Sequence, residues 1–152
     1  MQPVFQDRAA EGFEDFLVDR GTITPEQRDW GMAAARRAGT PIALVLISAG
    51  LVPRRRMYEL LAEFSGVPYI DLAENPPDEG MLDGLDPEDL VREGWVPVRR
   101  LPGGRILVAG ARRPWPETLT AIERVLGVPV DYHITTDWDI QGALARGLRD
   151  LI

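Results

Sequence analysis

The chain has one imidazole, His133, and no cysteine. Thiolate catalysis, disulfides and cysteine metal sites are therefore excluded, and any histidine chemistry has a single candidate. His133 sits in a short apolar alternating run, which predicts a strand and a structural or surface role. The acids Asp78, Glu79, Asp83, Asp86, Glu88 and Asp89 are dense, but they lack calcium-loop spacing and read as a solvated loop and helix start. Gly103-Gly104-Arg105 with Gly110 lacks the lysine and the following helix of a phosphate-binding loop; it reads as the turn of a hairpin. No metal site and no catalytic set is expected.

What remains is arginine, which supplies all 17 basic residues. Arg8, Arg28, Arg36, Arg54 and Arg55 are the candidate anion or partner contacts, with Arg37 and Arg56 beside them. Arg54, Arg55 and Arg56 open a predicted helix, where the positive end of the helix dipole disfavours cations. That conflict marks either plain solvated charge or an anion or partner site. The overall charge is −7, the wrong sign for a general nucleic-acid binder. Residues 1–66 carry a net −1 and residues 67–152 a net −6. No apolar run approaches the roughly 18 residues of a membrane span, and the N-terminus lacks a signal-peptide pattern. A cytoplasmic protein with no nucleic-acid partner and no direct membrane span is expected.

The positioning framework shows itself as a repeat. Phe13, Phe16, Leu17, Val18, Gly21, Ile23, Met32 and Ala33 return 29 residues later as Ile42, Val45, Leu46, Ile47, Gly50, Val52, Leu61 and Ala62. A repeat of this size means one helical supersecondary unit used twice. The first helix is expected from about Asp7 to Arg20, stopped by Gly21 as a left-handed residue. Thr24, Pro25 and Gln27 form a capping-box start for the second, which Gly39 ends. Thr40 and Pro41 repeat the cap-then-proline start for a third, ending at Gly50, and Pro53 opens a fourth. In that fourth helix Met57, Leu60, Leu61 and Phe64 form a buried stripe.

The pattern then changes period. Val67 to Leu72 predicts a short strand and Asn75 to Asp86 a connecting loop. Asp86, Pro87 and Asp89 set up a short helix. Trp95 to Leu101 and Arg105 to Ala109 flank Pro102-Gly103-Gly104 as a hairpin. A helix follows over Pro116 to Leu126, a strand over Val128 to Ile134, and a last helix capped by Thr136 and Asp139. Trp95 and Trp138 are expected in the core, with Trp30 and Trp115 as exposed partner contacts. The fold class is α+β: an N-terminal four-helix tandem repeat followed by a small mixed sheet flanked by helices. Residues 1–66 form the helical subdomain, and residues 67–152 a small α/β subdomain packed on it.

The order of elements, the repeat and the phrase Gly103-Gly104-Arg105-Ile106-Leu107-Val108-Ala109 resemble a known family. This is the MshEN or GspE N-terminal domain of type II secretion and type IV pilus assembly ATPases. The carrying stretches are Phe16 to Glu26, Leu46 to Val52, and Val67-Pro68-Tyr69-Ile70-Asp71-Leu72. The same domain is fused in some proteins to membrane-bound processive glycosyltransferases. Thr135-Thr136-Asp137-Trp138-Asp139-Ile140, and less strongly Asn75-Pro76-Pro77-Asp78, look more like that branch.

The resemblance implies a tandem motif able to hold cyclic di-GMP, with the motif-matching positions Leu17, Val18, Gly21, Met32, Leu46, Ile47, Gly50 and Leu61. The polar positions of the motif do not carry over. Gly12 and Pro41 stand where it has arginine, Glu14 and Ala43 where it has glycine, and Ala35 and Phe64 where it has glutamine. The expectation is a non-catalytic regulatory or protein-interaction domain from the N-terminal region of a larger bacterial protein. That host would be a secretion or pilus ATPase or an exopolysaccharide glycosyltransferase, with the domain held at the inner face of the membrane. Its partners would be the downstream domain of the same polypeptide or a subunit of a membrane machine. The alternative is a cyclic di-GMP sensor with a non-standard site.

Overall fold

The computed structural model describes residues 12–150, divided after Phe64 into two compact units. In the first unit, helix α1 covers Phe13–Asp19, α2 Pro25–Ala38, α3 Ile42–Ser48 and α4 Arg54–Ser65. In the second, α5 covers Pro87–Glu93, β1 Trp95–Arg100, β2 Ile106–Gly110, α6 Pro116–Leu126, β3 Val130–Ile134 and α7 Asp137–Asp150. The class is α+β, as expected.

The 29-residue repeat extends to individual backbone hydrogen bonds. In the first copy, the Gly21 amide donates to the Val18 carbonyl at 2.9 Å and the Thr22 amide to Leu17 at 2.9 Å. In the second, Gly50 donates to Ile47 at 3.0 Å and Leu51 to Leu46 at 3.1 Å. Each pair is a Schellman closure, which satisfies helix carbonyls by placing one residue in the left-handed region. Gly21 has φ 70° and Gly50 φ 75°. A Cβ at either would meet nothing within 4 Å, so backbone conformation alone demands glycine there.

The capping box of α2 forms as expected. The Gln27 amide donates to Thr24 Oγ1 at 3.1 Å, and the Thr24 amide donates to Gln27 Oε1 at 2.9 Å. The expected Thr40 cap does not form. Pro41 occupies the cap position of α3 without a side-chain bond, and the Thr40 hydroxyl donates to the Ala38 carbonyl instead. Pro41 favours an extended conformation in the residue before it, which moves the helix start one residue on. The part of the first expected helix before residue 12 lies outside the described residues. Within them, Gly12 at φ 78° precedes Phe13, so no helix runs uninterrupted through that position.

Packing in the first unit follows the repeat. Phe13, Leu17, Ile23, Ile42, Leu46, Val52, Met57, Leu60 and Leu61 are all buried. The α2–α3 contact is close because Gly31 is buried in α2; a Cβ there would come within 3.1 Å of Leu46 Cδ2. Phe64 is half-buried, and its ring lies 5.4 Å from Phe13 and 5.2 Å from Phe16. The chain end of α4 is thereby fixed to α1.

The second unit is a three-stranded mixed sheet in the order β1-β2-β3. The hairpin β1–β2 is antiparallel with a bulge between Pro97 and Arg99, and β2–β3 is parallel in register Ile106↔Val130 through Gly110↔Ile134. All of β2 is buried, as a central strand between covered faces must be. Helix α7 packs on β1 and β2, and α6 on β3.

The strand expected over Val67 to Leu72 reduces to one parallel bridge, Tyr69↔Ile134. The Ile70 amide donates to the Ile134 carbonyl and the Ile134 amide to the Pro68 carbonyl, both at 2.9 Å. One more step of ladder would need a Pro68 N–H, which proline lacks. On the other side, Asp71 turns the chain by accepting the Ala73 amide.

Trp138 also departs from expectation, at 63% exposed rather than in the core. Thr136 caps α7 by accepting the Asp139 amide, and Ile140, Ala143 and Leu144 form its buried face. Trp138 is two residues before Ile140, about 200° around the helix, and so points away from that face.

Candidate functional site

The motif-matching positions divide into two groups. Leu17 and Leu46 are fully buried and Leu61 is nearly so; their side chains fill the helical core. Val18, Met32 and Ile47 are half-buried, and Gly21 and Gly50 are exposed in the two left-handed turns. Any ligand reaching this frame from solvent meets Val18, Ile47 and the turn backbones first. The two sets are equivalent in burial, turn conformation and hydrogen bonding.

The candidate arginines are not drawn into one site. Arg8 lies outside the described residues. Arg28 Nη1 lies 3.0 Å from Asp15 Oδ1, and its Nε 3.2 Å from Asp29 Oδ1. The Asp29 hydrogen bond is the largest influence holding its pKa above the ordinary arginine value, with Asp15 adding to it. This guanidinium is already occupied by carboxylates of its own unit. Arg36 and Arg37 are exposed in the last turn of α2, where the helix dipole favours them.

Arg54 is half-buried at the start of α4. Arg55 and Arg56 reach Glu59 at 3.4 and 3.8 Å, which offsets the dipole conflict. Glu14 and Asp15 add negative charge to the first turn of α1. Arg20 pairs with Glu63 and lies 4.9 Å from the Phe16 ring centroid.

The second unit holds His133, half-buried on β3. Burial pushes its pKa below the ordinary histidine value, Asp131 pulls it up, and Arg99 pushes it further down. Asp131 itself accepts from Arg105 Nε at 2.7 Å. His133 and Asp131 line an open depression of about 380 Å³ with Val67, Pro68, Pro114 and Leu119. Neighbouring Tyr132 is buried, and its hydroxyl donates to the Arg112 carbonyl at 2.7 Å. Desolvation raises that phenol's pKa well above the ordinary tyrosine value.

Among the described residues, no group of three or more His, Asp or Glu is placed to hold a metal ion, and no helix is long and apolar enough to cross a membrane. Trp30 is 48% exposed, Trp115 is half-buried beneath the Arg113 guanidinium, and Trp95 is buried with its indole N–H donating to Glu93.

The first unit is a doubled helical frame and the second a small mixed sheet flanked by helices. The chain belongs to the MshEN domain family, whose model matches residues 65–149. A segment is 36% identical over 73 residues to the type IV pilus assembly ATPase PilB of Thermus thermophilus, covering 48% of this chain and 8% of that protein. The matched segment thus spans less than a tenth of that relative's length. Among solved structures it resembles MshE with cdg, at TM-score 0.72 and 22% identity over 88% of this chain and 96% of that one. It also resembles the N-terminal domain of XpsE, at TM-score 0.70 and 22% identity over 96% and 98%. The likeness is to a non-catalytic N-terminal domain, and the domain itself is not the catalytic part.

Proposed function

We propose that the chain is a regulatory and protein-interaction domain within a larger bacterial protein, working at the inner face of the membrane through that host. The observation that carries this reading is the family match together with the commitment of the polar groups. Arg28, Arg55, Arg56 and Asp131 all engage side chains of the chain itself. The relatives include a pilus assembly ATPase, which supports a secretion or pilus ATPase as host. The phrase Thr135 to Ile140 supports the glycosyltransferase branch instead. The interaction partners are the downstream domain of the same polypeptide or a subunit of the membrane machine. Removing residues 1–152 from the host should leave its basal chemistry intact and abolish its regulation or assembly. ATP hydrolysis or sugar transfer by the isolated chain would overturn the reading.

A second reading is a cyclic di-GMP sensor with a non-standard site. It is favoured by the two equivalent turns at Gly21 and Gly50 and by the likeness to a structure of MshE with cdg, taken as cyclic di-GMP. Its site would use Val18, Ile47 and the exposed surfaces of the two glycine turns, framed by Leu17, Leu46 and Leu61. The family-model match lies entirely after residue 64, so this reading rests on the repeat. Calorimetric titration with cyclic di-GMP decides it. Micromolar binding lost in Val18→Glu and Ile47→Glu would establish it, and no heat at high micromolar ligand would end it.

A further inference from the structure

Helix α2 carries an exposed stripe along one face. Glu26, Trp30, Ala33 and Arg37 are all exposed, and their spacing of four, three and four residues puts them on one helical face. That spacing reads the same in both directions. A second α2 laid antiparallel therefore presents Arg37, Ala33, Trp30 and Glu26 in register. Glu26 meets Arg37 at both ends, and each Trp30 meets the small Ala33 of the other copy. From these observations we infer that this face is a self-association surface whose occupant is a second copy of the chain.

The arrangement is complementary in charge and in shape. Among the described residues, Glu26 and Arg37 have no ion-pair partner within their own unit. Alanine permits close approach of the two helices, within the usual 8–10 Å between axes, and leaves the space that tryptophan fills. An isologous two-fold contact needs this self-complementarity. The stripe is not a by-product of the repeat. At the equivalent positions of α4, Ala62 is buried and Glu59 is taken by Arg55 and Arg56.

One helix face is well below the roughly 1,200 Å² of a stable interface. The contact is accordingly weak in the isolated chain and strengthened when a host assembly raises local concentration. The buried tryptophans supply most of the attraction, and the charge pairs set the register.

Sedimentation velocity of the whole chain across a concentration series tests this, with circular dichroism confirming that each variant folds. Association that rises with concentration is expected. Trp30→Ala, Glu26→Arg and Arg37→Glu should each weaken it at least about tenfold, equivalent to 1.4 kcal/mol. The decisive sample is an equimolar mixture of the two charge variants. In the mixed pair every introduced charge meets its opposite, so association should return. A chain that stays monomeric up to millimolar concentration, association indifferent to these substitutions, or a mixture no better than its components would each overturn the proposal.

Discussion

If the two helical units share one backbone frame, then Gly21→Ala and Gly50→Ala must have the same effect. Both glycines close Schellman turns at nearly equal φ, 70° and 75°, and neither has an atom within 4 Å of the added methyl. No packing term enters, so each substitution carries only the penalty of a β-carbon in the left-handed region, about 1–2 kcal/mol. For a chain of this length that is a drop of roughly 2–8 °C in Tm. Gly21→Asn and Gly50→Asn should lose less, because asparagine tolerates this region better.

Gly31→Ala supplies the contrast. Helix propensity favours alanine by up to about 1 kcal/mol. The new methyl, however, would sit 3.1 Å from Leu46 Cδ2, and Leu46 is fully buried. Overpacking of a core that cannot yield opposes folding by about 1–3 kcal/mol, so a net loss is expected. Urea unfolding of the three variants measures all of this. A difference above about 1 kcal/mol between Gly21→Ala and Gly50→Ala would refute the shared frame, because equal φ and equal open space predict equal loss.

Other consequences follow from the second unit and the turns. Gly110→Ala would drive a methyl into the ring and hydroxyl of Tyr132, and thermal unfolding should show a loss of ~3 kcal/mol or more. His133 has its folded-state pKa pushed below the ordinary 6.5. The unfolded chain therefore takes up a proton first as pH falls, and stability should drop on acidification below about 6.5. Comparing urea midpoints at several pH values, His133→Gln should flatten that part of the profile, and an unchanged slope would contradict the assignment. Leu17→Ala and Leu46→Ala should each destabilise by about 2–5 kcal/mol, since both side chains are fully buried. Their effect on any ligand would thus be lost in unfolding, and Val18 and Ile47 are the positions to change when binding is assayed.

Local punctuation was well marked in the chain. Thr24-Pro25-Gln27 produced its capping box, Gly21, Gly39 and Gly50 adopted positive φ, and the helix over Pro116–Leu126 has the bounds expected of it. These features depend on neighbours within a turn, so sequence displays them directly. The departures came where local rules compete. Val67 to Leu72 has strand composition, yet one missing N–H at Pro68 confines it to a single bridge. Thr40 had cap chemistry but stood before a proline, and its hydroxyl turned back to Ala38.

Trp138 is a large apolar residue whose place depends on the phase of α7, set by the buried face of Ile140, Ala143 and Leu144. The pairing of Arg28 with Asp15, 13 residues away, was not legible either. It needs α1 and α2 side by side, a relation that neither helix states alone. The exposure of Glu26, Trp30, Ala33 and Arg37 on one face of α2 is likewise a property of the fold.

The most direct test of the regulatory and interaction reading is to titrate the isolated chain against the separately produced remainder of its host polypeptide by calorimetry. Saturable binding, accompanied by a change in the host's catalytic rate, is the predicted result. Absence of binding at high micromolar concentration, with the host's rate unaltered by the added domain, would contradict the account.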